Sequence, residues 1–300
     1  MKQVMAGHLG GHLAMLAFSA LVAGSFSLGG MVANDISPTA LNALRFFLAA
    51  VVIGGLALVT TGLPRRAWVA PWRYAILGGI FAGYFVLMFY GLKTAAPVAT
   101  AAVFTLTPVM SAAFGWIFLR QTMTGRMALA LAIGVVGALW VIFRADLAAL
   151  RAFEVGEGEV IYFWGCVAHA AYTPLVRRFN RGEPTIVFGF GIMCAACVSL
   201  FVWGWGEIWA TDWVHLPTRV WGVLSYLVIF ATAASMLLLQ IGSMRLPAAK
   251  VMAYTYLVPS WVILWQIGLG RGAPPLMVAV GVGLTTLALV LLLKPDTASG

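Results

Sequence analysis

His169 is the most informative of the residues in this chain that could do chemistry, because an ionisable group there sits inside an apolar stretch. The run is Trp164-Gly-Cys-Val-Ala-His169-Ala-Ala-Tyr172-Thr-Pro174, and Tyr172, three residues on, shares a helical face with the imidazole. An imidazole at that depth is either a contact for a small molecule or a neutral brace hydrogen-bonded between helices. Lys250 follows Pro247 by one turn. Its ammonium suits a carboxylate, or snorkels to the membrane surface. Tyr84, Met88, Phe104, Trp164, Tyr172, Tyr254 and Tyr256 supply rings and a thioether. Such groups hold an apolar moiety by stacking and dispersion without a matched hydrogen-bond pattern, although each ring could equally face lipid. Thr107, Ser235 and Gln240 add neutral polar groups.

Several chemistries find no support. The chain has no His-Glu-x-x-His, no Gly-x-Ser-x-Gly and no carboxylate beside His169 to orient it, so it does not read as an enzyme. Cys166, Cys194 and Cys197 have no histidine or carboxylate close by in sequence, and they read as small apolar residues rather than metal ligands or disulfide partners. No metal and no cofactor is expected. No Asp or Glu falls in the middle of an apolar stretch, so proton exchange through a buried carboxylate lacks a carrier. The rings of charge that line ion channels are absent too.

The elements that must position these residues follow from composition. With 62% hydrophobic and 9% charged residues and a mean hydropathy of +0.98, the chain is an integral membrane protein. A bilayer core takes roughly 20 apolar residues per helix. Spans are expected at residues 9–33, 38–61, 72–93, 97–119, 126–143, 159–179, 184–206, 219–243, 247–269 and 274–293, which makes ten. The net charge of +9 then reads as topology rather than as nucleic-acid binding. With a cytoplasmic N-terminus, the inner face receives Lys2, Arg65, Arg66, Arg73, Arg120, Arg126, Arg177, Arg178, Arg181, Arg245, Lys250 and Lys294. The outer face receives Arg45, Lys93, Arg144, Arg151, Arg219 and Arg271, diluted by Asp35, Asp146, Glu154, Glu157, Glu159, Glu207 and Asp212. Both termini are therefore expected in the cytoplasm. Trp203, Trp205, Trp209, Trp213 and Trp221 flank one outer loop and read as interfacial anchors.

The chain also repeats itself. Phe18 aligns with Trp164, Phe26 with Tyr172, Ser27 with Thr173, Pro38 with Pro184 and Thr39 with Thr185, all at one offset (184 − 38 = 146). Pro97 and Pro108 align with Pro247 and Pro259, and Arg120 with Arg271, after a one-residue slip. Five spans is an odd number, so a second set of five enters the membrane inverted. Two repeats, 1–148 and 149–300, are expected, and inverted repeats are the pattern of alternating-access transporters with a midplane site. Pro108, Pro174 and Pro259 inside spans free backbone carbonyls and are candidate hinges. Gly24, with Gly29 and Gly30, permits close helix approach.

Gly24-Ser25-Phe26, Ile36-Ser37-Pro38 and Leu44-Arg45-Phe46-Phe47-Leu48 resemble the opening helices of the EamA branch of the drug/metabolite transporter superfamily. Thr107-Pro108, Phe118-Leu119 and Ile133-Gly134-Val135-Val136-Gly137 are similar to its fourth and fifth helices. Ala23 stands where the family commonly has tryptophan, with His169 at the corresponding place of the second half, and Arg120-Gln121 replace an acidic residue common after helix four. His169 to Tyr172, the arginines that follow and Tyr84 look most like the aromatic amino acid exporters of that superfamily. The resemblance implies a bacterial cytoplasmic-membrane exporter whose cavity is lined by helices one, three, four, six, eight and nine. Its small-molecule substrate would be an amino acid, aromatic and other neutral ones favoured, with the lipid bilayer as its surroundings and no nucleic acid; the oligomeric state stays open, a monomer being compatible. Export of other metabolites or drugs, or carriage of organic phosphates or nucleotide sugars, are the alternatives. Phosphate would need clustered midplane cations, where only Lys250 and Arg45 are available.

Overall fold

A computed structural model describes residues 2–143, 146 and 155–293, with side chains from residue 9 onward. Arg144, Arg151, Glu154, Lys294, the Lys2 side chain and the 148/149 boundary lie outside what is described. Among the described residues every regular element is helical. The first half comprises α1 (Lys2–Val32), α2 (Pro38–Thr60), α3 (Trp72–Gly91), α4 (Pro97–Phe104), α5 (Thr107–Leu119) and α6 (Gly125–Ile142). The second comprises α7 (Glu157–Phe179), α8 (Thr185–Trp203), the short α9 (Trp205–Ala210), α10 (Thr218–Val228), α11 (Ser235–Arg245), α12 (Ala248–Ala253), α13 (Val258–Gly268) and α14 (Val278–Leu293).

Among the described residues seven segments are long and apolar enough to cross a bilayer, with α4–α5 and α10–α11 each counted as one. The three other expected spans depart from that standard for visible reasons. The α7 helix carries Glu157 and Glu159 in its first turn and Arg177 and Arg178 in its last. The α12–α13 segment is interrupted at Tyr254–Leu257 by a 3-10 turn, and α14 has 16 residues.

Local chemistry sets the helix ends. Pro38 and Pro97 open α2 and α4 at first-turn positions, where a missing N–H costs nothing. The Ser37 hydroxyl accepts from Ala40 N, and Thr124 caps Met127 N at 3.3 Å in the same way. At the other end of α5, Arg120 turns left-handed at φ 53°.

The helices pack as related pairs. α3 lies on α7 and α8, α2 on α8 and α10, α1 on α11 and α13, α5 on α7, and α6 on α14. Exchanging each span for its counterpart in the other half turns this list into itself: α3 on α7 becomes α11 on α1, and α5 on α7 becomes α13 on α1. The α6–α14 contact is close because both sides are glycine. A Cβ on Gly137 or on Gly281 would lie 2.7 Å from the other's carbonyl oxygen.

The prolines do more than bend helices. Pro108 and Pro259 each open the second piece of a broken span. The carbonyl four residues before Pro108 is that of Phe104, and the Thr107 hydroxyl donates to it at 2.6 Å. Thr105 donates to the Ala102 carbonyl at 2.6 Å and Thr255 to that of Met252 at 2.8 Å. The two breaks meet where the Thr107 and Thr255 hydroxyls lie 3.2 Å apart. Pro174 leaves α7 continuous but orphans the Ala170 carbonyl, which Ser111 of α5 captures at 2.9 Å. With no water in the hydrocarbon core, hydroxyls from the chain itself are what make these breaks tolerable.

Candidate functional site

His169 sits near the middle of α7, in a box of rings drawn from four helices. Its imidazole stacks on Tyr84 of α3 at 4.3 Å between centroids and 17° between planes. Phe104 of α4 lies at 5.3 Å, Tyr172 at 6.1 Å and Phe18 of α1 at 6.5 Å. Tyr84, Phe104, Tyr172 and the imidazole itself are all buried. The Tyr84 hydroxyl is 3.1 Å from that of Tyr162, two turns before His169 on the same face of α7. Neither ring nitrogen of His169 has a hydrogen-bond partner among the described residues. A buried polar group left so is costly and calls for an explanation.

Sequence reasoning found only part of this box. Tyr84, Phe104, His169 and Tyr172 come together, and Met88, one turn beyond Tyr84, is fully buried beside them on α3. Gln240 of α11 is buried against the Tyr172 hydroxyl. Thr107 sits at the helix break below Phe104, its hydroxyl committed to that carbonyl. Phe26, whose ring lies 5.8 Å from Phe104 and 5.9 Å from Tyr162, extends the box, and Phe18, Phe26 and Tyr162 are members that the residue types alone do not single out. The repeat contained the signal, since Phe18 and Phe26 align with Trp164 and Tyr172.

Other expected members lie elsewhere. Trp164 is 61% exposed and packs edge-on against Phe163. Five residues along an α-helix is about 140° of rotation, which carries Trp164 to the face opposite His169. Trp164 is therefore a surface tryptophan, whereas its repeat counterpart Phe18 faces His169. Tyr254 accepts or donates at 3.0 Å with His12 of α1, apart from the box, and Lys250 is half-buried at the start of α12. Trp203, Trp205, Trp209 and Trp221 are exposed as interfacial anchors should be, whereas Trp213 folds back to donate to the Ile208 carbonyl at 3.0 Å. Gly24 has a packing role: a Cβ there would overlap the Tyr226 ring, whose hydroxyl donates to the Leu21 carbonyl at 2.9 Å.

Arg45 is fully buried and its guanidinium lies 4.0 Å over the Phe85 ring. It donates through Nε to Thr232 Oγ1 at 2.5 Å, through Nη2 to the Ala231 carbonyl at 2.9 Å and through Nη1 to Asn42 Oδ1 at 3.4 Å. Both second-half partners lie in the π-helical turn Ile229–Ala234 between α10 and α11, whose widened backbone exposes a carbonyl to it. All three nitrogens are engaged, so Arg45 joins α2 to the second half rather than offering a free cation.

Among the described residues no group of His, Cys, Asp or Glu has the arrangement of a metal site. The model of the EamA-like transporter family matches residues 9–143 and again 157–294. The chain belongs to the EamA-like transporter family. It is 28% identical over 296 residues to the uncharacterized transporter YyaM of Bacillus subtilis (strain 168), covering 98% of this chain and 94% of that one. A solved crystal structure superposes with a TM-score of 0.71 over 96% of each chain at 22% identity, a likeness of fold. As a member of the EamA-like family the chain is an integral membrane transporter of small molecules, not an enzyme, and its place is a bacterial cytoplasmic membrane.

Proposed function

We propose that this EamA-like transporter exports neutral amino acids, aromatic ones favoured, by alternating access. The observation that carries the reading is the His169 box. A neutral imidazole offers one donor and one acceptor nitrogen, which match the carboxylate and the ammonium of a zwitterion. The surrounding rings suit an apolar or aromatic side chain. At 4.3 Å the Tyr84 and His169 rings touch, so a substrate ring enters only when α3 and α7 part. A site that must open to be used is what alternating access requires.

The same proposal takes ten spans in two inverted repeats, 1–148 and 149–300, with both termini cytoplasmic. It is supported by the self-mapping helix contacts, by the paired breaks before Pro108 and Pro259, and by the family model matching twice. A doubly charged phosphate substrate finds less support, because the nitrogens of Arg45 are committed and Lys250 stands at the end of a span.

Counterflow in proteoliposomes with a panel of amino acids, sugars and phosphate esters tests the substrate. Exchange of phenylalanine, tyrosine or other neutral amino acids is expected. Exchange confined to sugars or phosphate esters would refute the reading.

A further inference from the structure

An arginine opens the third span of each half: Arg73 in Trp72-Arg73-Tyr74 and Arg219 in Thr218-Arg219-Val220, at the offset that also aligns Pro38 with Pro184 (219 − 73 = 146). An acid follows the first span of each half, Asp35 after α1 and Glu183 after α7 (183 − 35 = 148). Each arginine reaches the acid of the other half. Arg73 Nη2 pairs with Glu183 Oε1 at 2.7 Å. Arg219 grips Asp35 with two bonds, Nε to Oδ2 at 2.8 Å and Nη2 to Oδ1 at 2.7 Å.

The two pairs stand at opposite ends of the bundle. Arg73 lies in the first turn of α3, whereas Asn34, next to Asp35, donates at 3.3 Å to the carbonyl of Lys93, just past the other end of α3. A 20-residue helix is about 30 Å long, the thickness of a bilayer core. Each pair therefore ties the two halves together on one face only.

The pairs are also unequal. Arg73 and Glu183 side chains are 1% and 7% exposed, against 58% and 16% for Arg219 and Asp35. Arg73 further donates to the carbonyls of Phe179 at 2.5 Å and Val69 at 3.0 Å, and Glu183 Oε2 accepts from Arg181 N at 2.6 Å.

We propose that Arg73–Glu183 and Arg219–Asp35 are the inner and outer latches of the transport cycle, and that the inner, buried latch is the stronger, so the resting transporter is sealed toward the cytoplasm. This rests on the alternating-access reading above but not on the identity of the substrate. Opening to one face separates α3 from the turn after α7, or α1 from α10, and so breaks the pair on that face while the other holds.

Ser27 and Thr173 provide reporters, being repeat counterparts (173 − 27 = 146), both buried, with hydroxyls that have no hydrogen-bond partner among the described residues. The full chain, with Cys166, Cys194 and Cys197 replaced by alanine, carries Ser27→Cys or Thr173→Cys and is reconstituted in one orientation. A membrane-impermeant maleimide is then added to one side. In the parent, Ser27→Cys should label from outside faster than Thr173→Cys from inside. Glu183→Gln should speed Thr173→Cys labelling about tenfold or more and slow that of Ser27→Cys, because stripping a buried charge of its partner is far costlier than stripping an exposed one. Asp35→Asn should speed Ser27→Cys labelling only about twofold. Glu183→Asp, which keeps the charge, should keep the parental rates. Changes below twofold with Glu183→Gln, a rise at both reporters together, or Glu183→Asp behaving like Glu183→Gln would overturn the proposal. Should Glu183→Gln fail to fold, Arg219→Gln still decides it, since it must reproduce Asp35→Asn. Amino acid counterflow measured on the parent separates the questions. Its absence with the labelling shifts intact sinks the substrate, and its presence with flat labelling sinks the latches.

Discussion

Replacing His169 with phenylalanine separates the two roles an imidazole can play here. The substitution keeps a flat ring between Tyr84, at 4.3 Å, and Phe104, at 5.3 Å, and removes two nitrogens that have no partner among the described residues. An unsatisfied buried polar atom costs about 1–3 kcal/mol. The larger phenyl ring gives some of that back by crowding a packed site, at about 1 kcal/mol or more. The net expectation is a stabilisation of about 1 kcal/mol in reversible detergent unfolding, together with at least a tenfold loss of amino acid counterflow. A ring that merely braces α7 predicts the reverse: transport intact and stability lower by the bond lost. Trp164→Ala is the matched control, since its ring is 61% exposed on the far face of α7, and it should transport like the parent. A stable His169→Phe chain that transports normally would refute the assignment of substrate contact to His169.

Other expectations come from the helix breaks, the close contacts and the buried ion pair. Ser111→Ala should destabilise by about 1–2 kcal/mol by orphaning the Ala170 carbonyl, and by less than half as much in a Pro174→Ala background, where the restored N–H takes over that carbonyl. Additive effects in that double-mutant cycle would show that Ser111 does not serve the Pro174 break. Gly24→Ala should cost about 1–3 kcal/mol, because the new methyl displaces the Tyr226 ring from the Leu21 carbonyl, and Tyr226→Phe should recover little of it since the ring remains. Burial pushes the Glu183 carboxyl up, but hydrogen bonds from the Arg73 guanidinium and the Arg181 N–H outweigh it and hold the group below the usual carboxylate range. A depressed carboxylate contributes stability that is present above its unfolded value of 4.5 and lost as pH falls through the folded one. The inner pair should thus persist across pH 5–8, and the labelling difference made by Glu183→Gln should be constant there and shrink only in more acidic buffer.

Composition alone placed this chain in a bilayer, and apolar run lengths located its helices to within a few residues, because the cost of exposing backbone and charge to hydrocarbon leaves few alternatives. The repeat was equally legible. Pro38 and Pro184, or Ser27 and Thr173, keep their spacing because each half must build the same packing against the other. His169 was legible too, as a titratable group where few are tolerated. Facing was not. In a helix apolar on every side no stripe marks the interior, so Trp164 and His169 look alike in sequence, and only the packing of α7 on α3 and α5 turns one outward and the other into the box. Partnership across the halves was likewise beyond the sequence. Arg73 finds Glu183 110 residues away and Arg219 finds Asp35 184 residues away, and Arg45 reaches a π-helical turn that no local pattern announces. The sequence settled that the chain is a membrane protein built of apolar helices. Only the way the two halves fold against each other decided which of them meet.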